Sequence, residues 1–409
     1  MPTGARLKGD TLKLEVYQIK SKMNILYFFE YAPNPQRGGA SRLTHSLVSY
    51  WRNNNKNYSF FCAYFKKEID YLPYFEDEIL VRITDKTTFG NFLRKNNISI
   101  VIFQMGFSKE YFNYVKDCCQ NHIPIITVFH SMPGWETIHI KNLIKSLPWH
   151  TATFTEKIKK IFLPFYLKHT NNLIRKKNQY IYNLSAKYVV LSDSYISLFQ
   201  KKYHIKNDSK LLAISNPLSY SEQTKIEYSK KKNQVLIVSR FSESEKRILF
   251  ALKAWKKIQQ HIINNKWELI IVGFGKDESL YRDYVKLNKL QNVIFTGKQE
   301  PFKYYKESSI FLMTSAFEGF VLTLTESQQM GVVPIVMDSF PSLHDIVING
   351  YNGIIVANND VTSMAEALKD LIINENKRIN LSINGFNYIK KFSVANIAYK
   401  WEQLFNEFE

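Results

Sequence analysis

Apolar positions along this chain fall into two alternating patterns. Short continuous runs such as "NILYFFEY", "YSFFCAYF", "SIVIFQMG", "PIITVFHS" and "AKYVVLS" read as strands buried on both faces. Between them lie stretches with helical spacing, among them "SRLTHSLVSYWR" and "SKEYFNYVKDCCQNH". "AISNPLSYSEQTKIEYSKKKNQ" breaks the series: it is polar, charged and contains a proline, as a linker would. A second series follows, with strands at "VLIVSRF", "WELIIVGFG", "NVIFTG", "SIFLMTS", "VPIVMD" and "GIIVAN" and a helical tail ending in "ANIAYKWEQLFNEF". Strand–helix alternation with continuous apolar strands predicts an α/β protein: two Rossmann-like, doubly wound domains facing a cleft, where ligands bind in such folds. The expected divisions are an extension at 1–22, a first domain at 23–217, a linker at 218–233, a second domain at 234–385 and a last helix at 386–409 that packs back on the first domain.

Length agrees with two domains, since 409 residues exceed one ordinary core. With 45% hydrophobic and 22% charged residues the chain has the composition of a folded globular protein. Its 55 Lys+Arg against 36 Asp+Glu give +19, an excess that favours phosphate-bearing ligands or an anionic membrane surface. The joint richness in Lys, Asn and Ile makes genome composition an equally good source of part of that charge. Cys62, Cys118 and Cys119 form no CxxC and no regular ligand spacing with histidine, so neither a disulfide framework nor a zinc site is indicated. A reducing cytoplasm fits. No apolar run reaches the roughly 18 residues that a membrane span needs. Residues 1–22 lack the apolar core of a secretory signal and are expected to be a flexible extension.

Candidate chemistry gathers in the second series. Arg240 closes the strand "VLIVSRF", and Lys246 and Arg247 follow where a helix begins; arginine grips a phosphate with two donors and lysine adds a point charge. Further on, "TSAFEGFVLTLTESQQMG" is a strand end, a turn and a helix that Gly331 stops. Such a turn offers backbone N–H groups and the positive end of a helix dipole to an anion. Glu318 stands at the mouth of the turn. Glu326 lies inside the helix, where a carboxylate can accept two hydrogen bonds from a sugar diol. Taken singly, each of these has a plainer reading as a solvated surface residue.

Together they resemble the retaining glycosyltransferases of the GT-B fold, specifically the family 4 group with its E-x7-E pair. The likeness rests on Glu318 and Glu326 within "EGFVLTLTESQQMGVVPIV", on "VSRF…K" with Arg240 and Lys246, on "IIVGFG", "NVIFTG", the glycine pair of "NPQRGGA" and "VFHS" with His130. It runs from Met23 onward and is more specific in the second half. The resemblance implies that Arg240 and Lys246 hold the donor diphosphate and that Glu326 binds ribose. It places Glu318, Gly319 and Phe320 beside the donor sugar and its phosphate. Gly38 and Gly39 would approach the diphosphate from the first domain, His130 would contact the donor sugar or polarise the reacting centre, and Gly297 and Lys298 would lie near the base. The co-substrate implied is a nucleotide-diphosphate sugar, UDP-sugar favoured, with no cofactor and a lipid-linked or oligosaccharide acceptor in bacterial surface-polysaccharide or glycolipid synthesis. Two departures stand out: Val321 where glycine or proline is frequent, and "SFPSLHDIV" with Asp345 where the family has a glycine pair and a glutamate.

There is no Asp-x-Asp to anchor a metal on a diphosphate; "EDE" at Glu76–Glu78 reads as a solvated surface run. Metal-independent transfer with retention is therefore expected. "TEKIKKIFLPFYLKHTNNLIRKK" interleaves lysines with aromatics, so residues 154–177 suit either an anionic membrane at the inner face of the plasma membrane or ordinary packing of an amphipathic helix. Cys118 and Cys119 are expected to pack, and His139, His150 and His169 show no ligand spacing. Two other readings remain at this stage. One is a basic nucleic-acid-binding protein without activity, although no nucleic-acid motif is present. The other keeps the fold as a nucleotide-sugar hydrolase; a dinucleotide enzyme is disfavoured because Gly273-Phe274-Gly275 lacks the third glycine of GxGxxG.

Overall fold

The structure, a computed structural model, describes residues 22–35, 39–67, 71–82, 86–104, 109–206, 209–220, 225–264 and 266–409. All but the last residue of the expected extension, and Gly38 of the glycine pair, lie outside the described residues. The first domain is built on β1 (Met23–Tyr31), β2 (Tyr58–Lys66), β3 (Glu78–Leu80), β4 (Ile100–Phe103), β5 (Ile125–Phe129), β6 (Lys187–Val190) and β7 (Leu211–Ala213), in the order β3-β2-β1-β4-β5-β6-β7. The second uses β8 (Gln234–Val238), β9 (Glu268–Val272), β10 (Val293–Gly297), β11 (Ile310–Met313), β12 (Val333–Asp338) and β13 (Ile354–Ala357), in the order β10-β9-β8-β11-β12-β13. Every strand pair in both sheets is parallel. Each order reverses once, between β1 and β4 and between β8 and β11, the switch points where doubly wound sheets bind ligands. Among the described residues no helix is long and apolar enough to cross a membrane.

The apolar runs explain the sheets. In β1 the residues Ile25 to Phe29 are all buried, so both faces are covered and the strand lies at the centre. One apolar cluster runs through both domains, from Met23 and Trp51 to Leu324, Phe392 and Phe405. Two others fill the outer faces of the second and first sheets, around Trp255 and Phe28 respectively. Helix Gly39–Asn53 sets Leu43, Leu47, Val48 and Trp51 inward at helical spacing.

The chain crosses between domains twice. After β7 it enters the second domain through the linker, and it returns through the turn Ile389–Phe392 to end in helix Val394–Phe405. The two crossings touch, because the Leu218 N–H donates to the Phe392 carbonyl at 2.8 Å. The last helix lies on the first domain. Trp51 is fully buried, packs against Phe60 and Phe405 with ring centroids 5.5 and 5.6 Å away, and donates from Nε1 to Glu402 Oε1 at 3.0 Å.

One surface reading is corrected. Glu78 is not solvated: its Oε1 accepts from Tyr71 Oη at 2.8 Å and from the N–H groups of Tyr74 and Phe75 at 2.8 and 3.1 Å, so it organises the approach to β3. Trp51 gives the test of the second crossing. Trp51→Ala should cost about 3–5 kcal/mol in denaturant unfolding, the range for emptying a large aromatic site. A loss under about 1 kcal/mol would mean that the last helix does not depend on this contact.

Candidate functional site

The site grows from the carboxyl end of the second sheet. β8 delivers Ser239 and Arg240, and a short helix, Glu243–Lys246, carries Lys246 back towards β11. Its Nζ donates to Glu318 Oε1 at 2.5 Å, and both side chains keep 18% of their surface exposed. Arg240 is mostly exposed and pairs with Glu245 Oε2 at 2.7 Å. Arg240, Lys246 and Glu318 line a cavity of about 280 Å³ with Ser239, Thr314, Phe320 and the first turn of helix Leu322–Gln329. Two cations, each held by a carboxylate, thus line a cavity that also reaches a helix N-terminus, the end of a helix that favours an anion. Val321 sits at φ −89 and ψ 93, an extended conformation that a β-branched residue adopts without strain, so the departure there leaves the turn intact.

Arg247 does not join Lys246. It has a left-handed φ of 51, which turns its side chain onto the protein. There Nε and Nη2 donate to the carbonyls of Thr314 and Ser315 at 2.6 and 2.8 Å, and Nη1 to Asn358 and Asn359 at 3.0 and 2.8 Å. Burial pushes its pKa down to about 10. Arg247 is therefore a brace for the turn before Glu318.

The first domain closes the cleft. An added Cβ on Gly319 would lie 1.9 Å from the His130 carbonyl oxygen, so the two backbones are in direct contact and only glycine fits. The His130 ring pairs through Nε2 with Gln104 Oε1 at 2.5 Å, and burial pushes its pKa down to about 4, which leaves it neutral at pH 7. Tyr195 donates to the Glu318 carbonyl at 2.6 Å and pairs with Ser342 Oγ at 2.9 Å. Asp345 accepts from Ser192 and Ser194 of the first domain, the latter at 3.2 Å. The atypical segment around Asp345 is thus spent on joining the domains. Gly39 also reaches across, since a Cβ there would lie 3.1 Å from Leu322 Cδ1.

Glu326 lies deeper than its spacing suggested. It is 2% exposed; Oε2 accepts from Tyr305 Oη at 3.0 Å and Oε1 from Arg42 Nη2 of the first domain at 2.7 Å. Gly297 and Lys298 stand apart from the cavity, at the end of β10. There the Gly297 carbonyl accepts from the Gly273 N–H at 3.0 Å and Lys298 lies 5.4 Å from the Phe274 ring centroid. Gly273 and Gly275 are fixed by crowding: a Cβ would meet Ser239 O at 1.8 Å and Phe241 O at 2.4 Å. A larger cavity of about 780 Å³ opens under the linker among Lys225, Lys230, Lys231, Lys232, Lys303 and Lys306. It does not reach the cleft. Its half-buried lysine, Lys231, donates to the Tyr305 and Met330 carbonyls at 2.9 and 2.7 Å, and Lys230 and Lys232 pair with Glu227 and Glu307.

Arg42, Tyr195, Ser192 and Glu245 escaped the sequence reading. Arg42 alone left a trace there, three residues after the glycine pair at the start of a helix.

Comparison with known proteins bears on the second domain and the fold. The family model for glycosyl transferases group 1 matches residues 221–388. An uncharacterized glycosyltransferase of Haemophilus influenzae is 23% identical over 235 residues, 57% of this chain and 65% of its own length. The amylovoran biosynthesis glycosyltransferase AmsD of Erwinia amylovora is 23% identical over 240 residues, 57% of this chain and 66% of its own. The aligned part is a little under two thirds of each relative. Among solved structures, Anabaena Alr3699/HepE in complex with UDP-glucose matches with a TM-score of 0.69 at 12% identity, covering 94% of this chain and 100% of that one. The fold is therefore GT-B, and within it residues 221–388 are similar to the glycosyl transferases group 1.

Proposed function

We propose that this chain is a retaining, metal-independent glycosyltransferase of the E-x7-E group. It moves a sugar from a nucleotide-diphosphate sugar, UDP-sugar favoured, to a hydroxyl of a lipid-linked or oligosaccharide acceptor in bacterial surface-polysaccharide synthesis. The observation that carries this reading is the Lys246–Glu318 pair beside Arg240, in a cavity that ends on a helix N-terminus. The Anabaena structure holds UDP-glucose and the Erwinia relative is named for amylovoran biosynthesis, which supports the donor class and the setting.

In this reading the donor diphosphate meets Arg240, Lys246 and the first turn of helix Leu322–Gln329. As the bond from the anomeric carbon to the phosphate oxygen breaks, negative charge develops on that oxygen. Fixed cations in a closed cleft stabilise it, without a metal ion. The acceptor oxygen bonds to the same face of the anomeric carbon, and its proton passes to the leaving phosphate oxygen. Lys246 gives up its contact with Glu318 to the phosphate, which frees the Glu318 carboxylate for the sugar. Neutral His130 supplies a hydrogen-bonding ring to the sugar without adding charge. Glu326 takes the ribose diol. Gly297 and Lys298 flank the base, and Gly39 gives the diphosphate a backbone approach from the first domain.

The acceptor side carries a surface suited to an anionic membrane at the inner face of the plasma membrane. Helix Phe154–Ile161 buries none of its residues. A helix of this length is marginal alone; a capping box holds its start, with Thr153 N–H donating to Glu156 Oε2 at 2.7 Å. Phe154 is 78% exposed and Phe165, on the next helix Leu163–Leu184, is 74% exposed. Lys157, Lys159, Lys160 and Lys168 flank them. Such a surface gains from both apolar insertion and attraction to anionic headgroups.

Lys246→Ala should lower the rate of sugar transfer from UDP-glucose or another UDP-sugar at least about a hundredfold with an unchanged melting temperature. EDTA should leave the wild-type rate unaltered. Near-normal activity in the variant, or strong inhibition by EDTA, would sink the assignment. Gly319→Ala forces its new methyl against the His130 carbonyl, so UDP affinity measured by calorimetry should fall about tenfold or more; unchanged affinity would show that closure is not needed for donor binding. On vesicles, the protein should sediment with phosphatidylglycerol-containing but not neutral membranes, and Phe154→Glu/Phe165→Glu should weaken that. Binding to neither vesicle retires the membrane surface.

A further inference from the structure

We propose that Arg42 is a positioning residue of the donor site. It holds the Glu326 carboxylate for the ribose and ties that carboxylate to the closed arrangement of the two domains. The proposal rests on the reading of Glu326 as the ribose ligand.

Glu326 is buried in the second domain, where a carboxylate taken out of water is costly without a charged or well-bonded partner. Tyr305, itself fully buried, supplies one hydrogen bond and no charge. The cation comes from the other domain: Arg42, in the first turn of helix Gly39–Asn53, reaches Glu326 Oε1 at 2.7 Å. The same Nη2 lies 3.3 Å from Ser219 Oγ in the linker, so one guanidinium touches both domains and the segment that joins them.

The hydrogen-bonding capacity of Glu326 is not used up by these two partners. A carboxylate offers about four lone-pair positions, and Tyr305 and Arg42 use one on each oxygen. One position per oxygen remains, which suits the two hydroxyls of a ribose diol. Arg42 Nε is also buried and has no acceptor among the described residues, so the side chain retains a donor for an oxygen brought by the ligand. Helix position reinforces the pairing, because Gly39 packs against Leu322 at the head of the helix that carries Glu326. Nη2 carries two N–H donors, which serve Ser219 and Glu326, and Nε keeps a further N–H in a fixed direction.

The test uses the purified full chain with UDP and 2′-deoxyuridine diphosphate as probes, by titration calorimetry. Wild type should bind UDP more tightly than the deoxy analogue. Arg42→Gln should weaken UDP about tenfold and shrink that preference, raising KM for the donor more than it lowers kcat. Arg42→Lys, which keeps the charge without the fork, should recover part of both; it carries the test if Arg42→Gln melts early. In a Glu326→Gln background, Arg42→Gln should cause no further loss of discrimination, since both act through one carboxylate. Full discrimination in Arg42→Gln and Arg42→Lys, or losses that simply add in the double variant, would overturn the proposal while leaving the transferase reading intact. Failure of the wild type to bind UDP at all would instead overturn the UDP-sugar reading and this role with it.

Discussion

The carbonyl oxygen of His130 stands where a side chain of residue 319 would be. That close approach lets the two domains meet backbone to backbone beside the cavity. Tyr195 can then hold the Glu318 carbonyl, Ser192 and Ser194 can hold Asp345, and Arg42 can reach Glu326. Each is a polar contact between domains, and each would be opened to water if the backbones were pushed apart. Closure matters for the charges as well. A lysine–carboxylate pair such as Lys246–Glu318 interacts more strongly where protein replaces water, so the tightness of one backbone contact sets the electrostatic strength of the cavity beside it.

The two glutamates that share one short stretch of sequence have different surroundings. Glu318 stays partly exposed with a lysine from its own domain, whose charge a phosphate can claim. Glu326 is buried and draws its cation from the other domain. A partly exposed pair within one domain keeps its geometry whether the cleft is open or closed. A partner from the other domain makes the surroundings of Glu326 depend on closure.

What could be read from the chain follows from distance along it. Continuous apolar runs with helical stretches between them were enough for two parallel sheets, because those patterns are local. The turn carrying Glu318 and the basic pair upstream were legible for the same reason. Arg42 was not, since its partner lies 284 residues away. The pairing of Asp345 with Ser192 spans 153 residues and turns an odd family segment into a domain contact. Lys246 and Arg247 look alike in sequence, yet a positive φ at the second sends its side chain to the protein and leaves only the first in the cavity. Glu78 shows the converse error: a run of acids reads as solvated until the loop that folds over it is seen.

The chain passes between its domains at two places, and those places are hydrogen-bonded to each other through Leu218 and Phe392. A body joined to another by a single strand can swivel in any direction. One joined by two strands clamped side by side can bend about the clamp but resists twisting. Any opening of the cleft about that clamp would be a single swing, and its return would bring residue 319 back to the same carbonyl. The last helix, far from any chemistry, works as the second pin of that hinge.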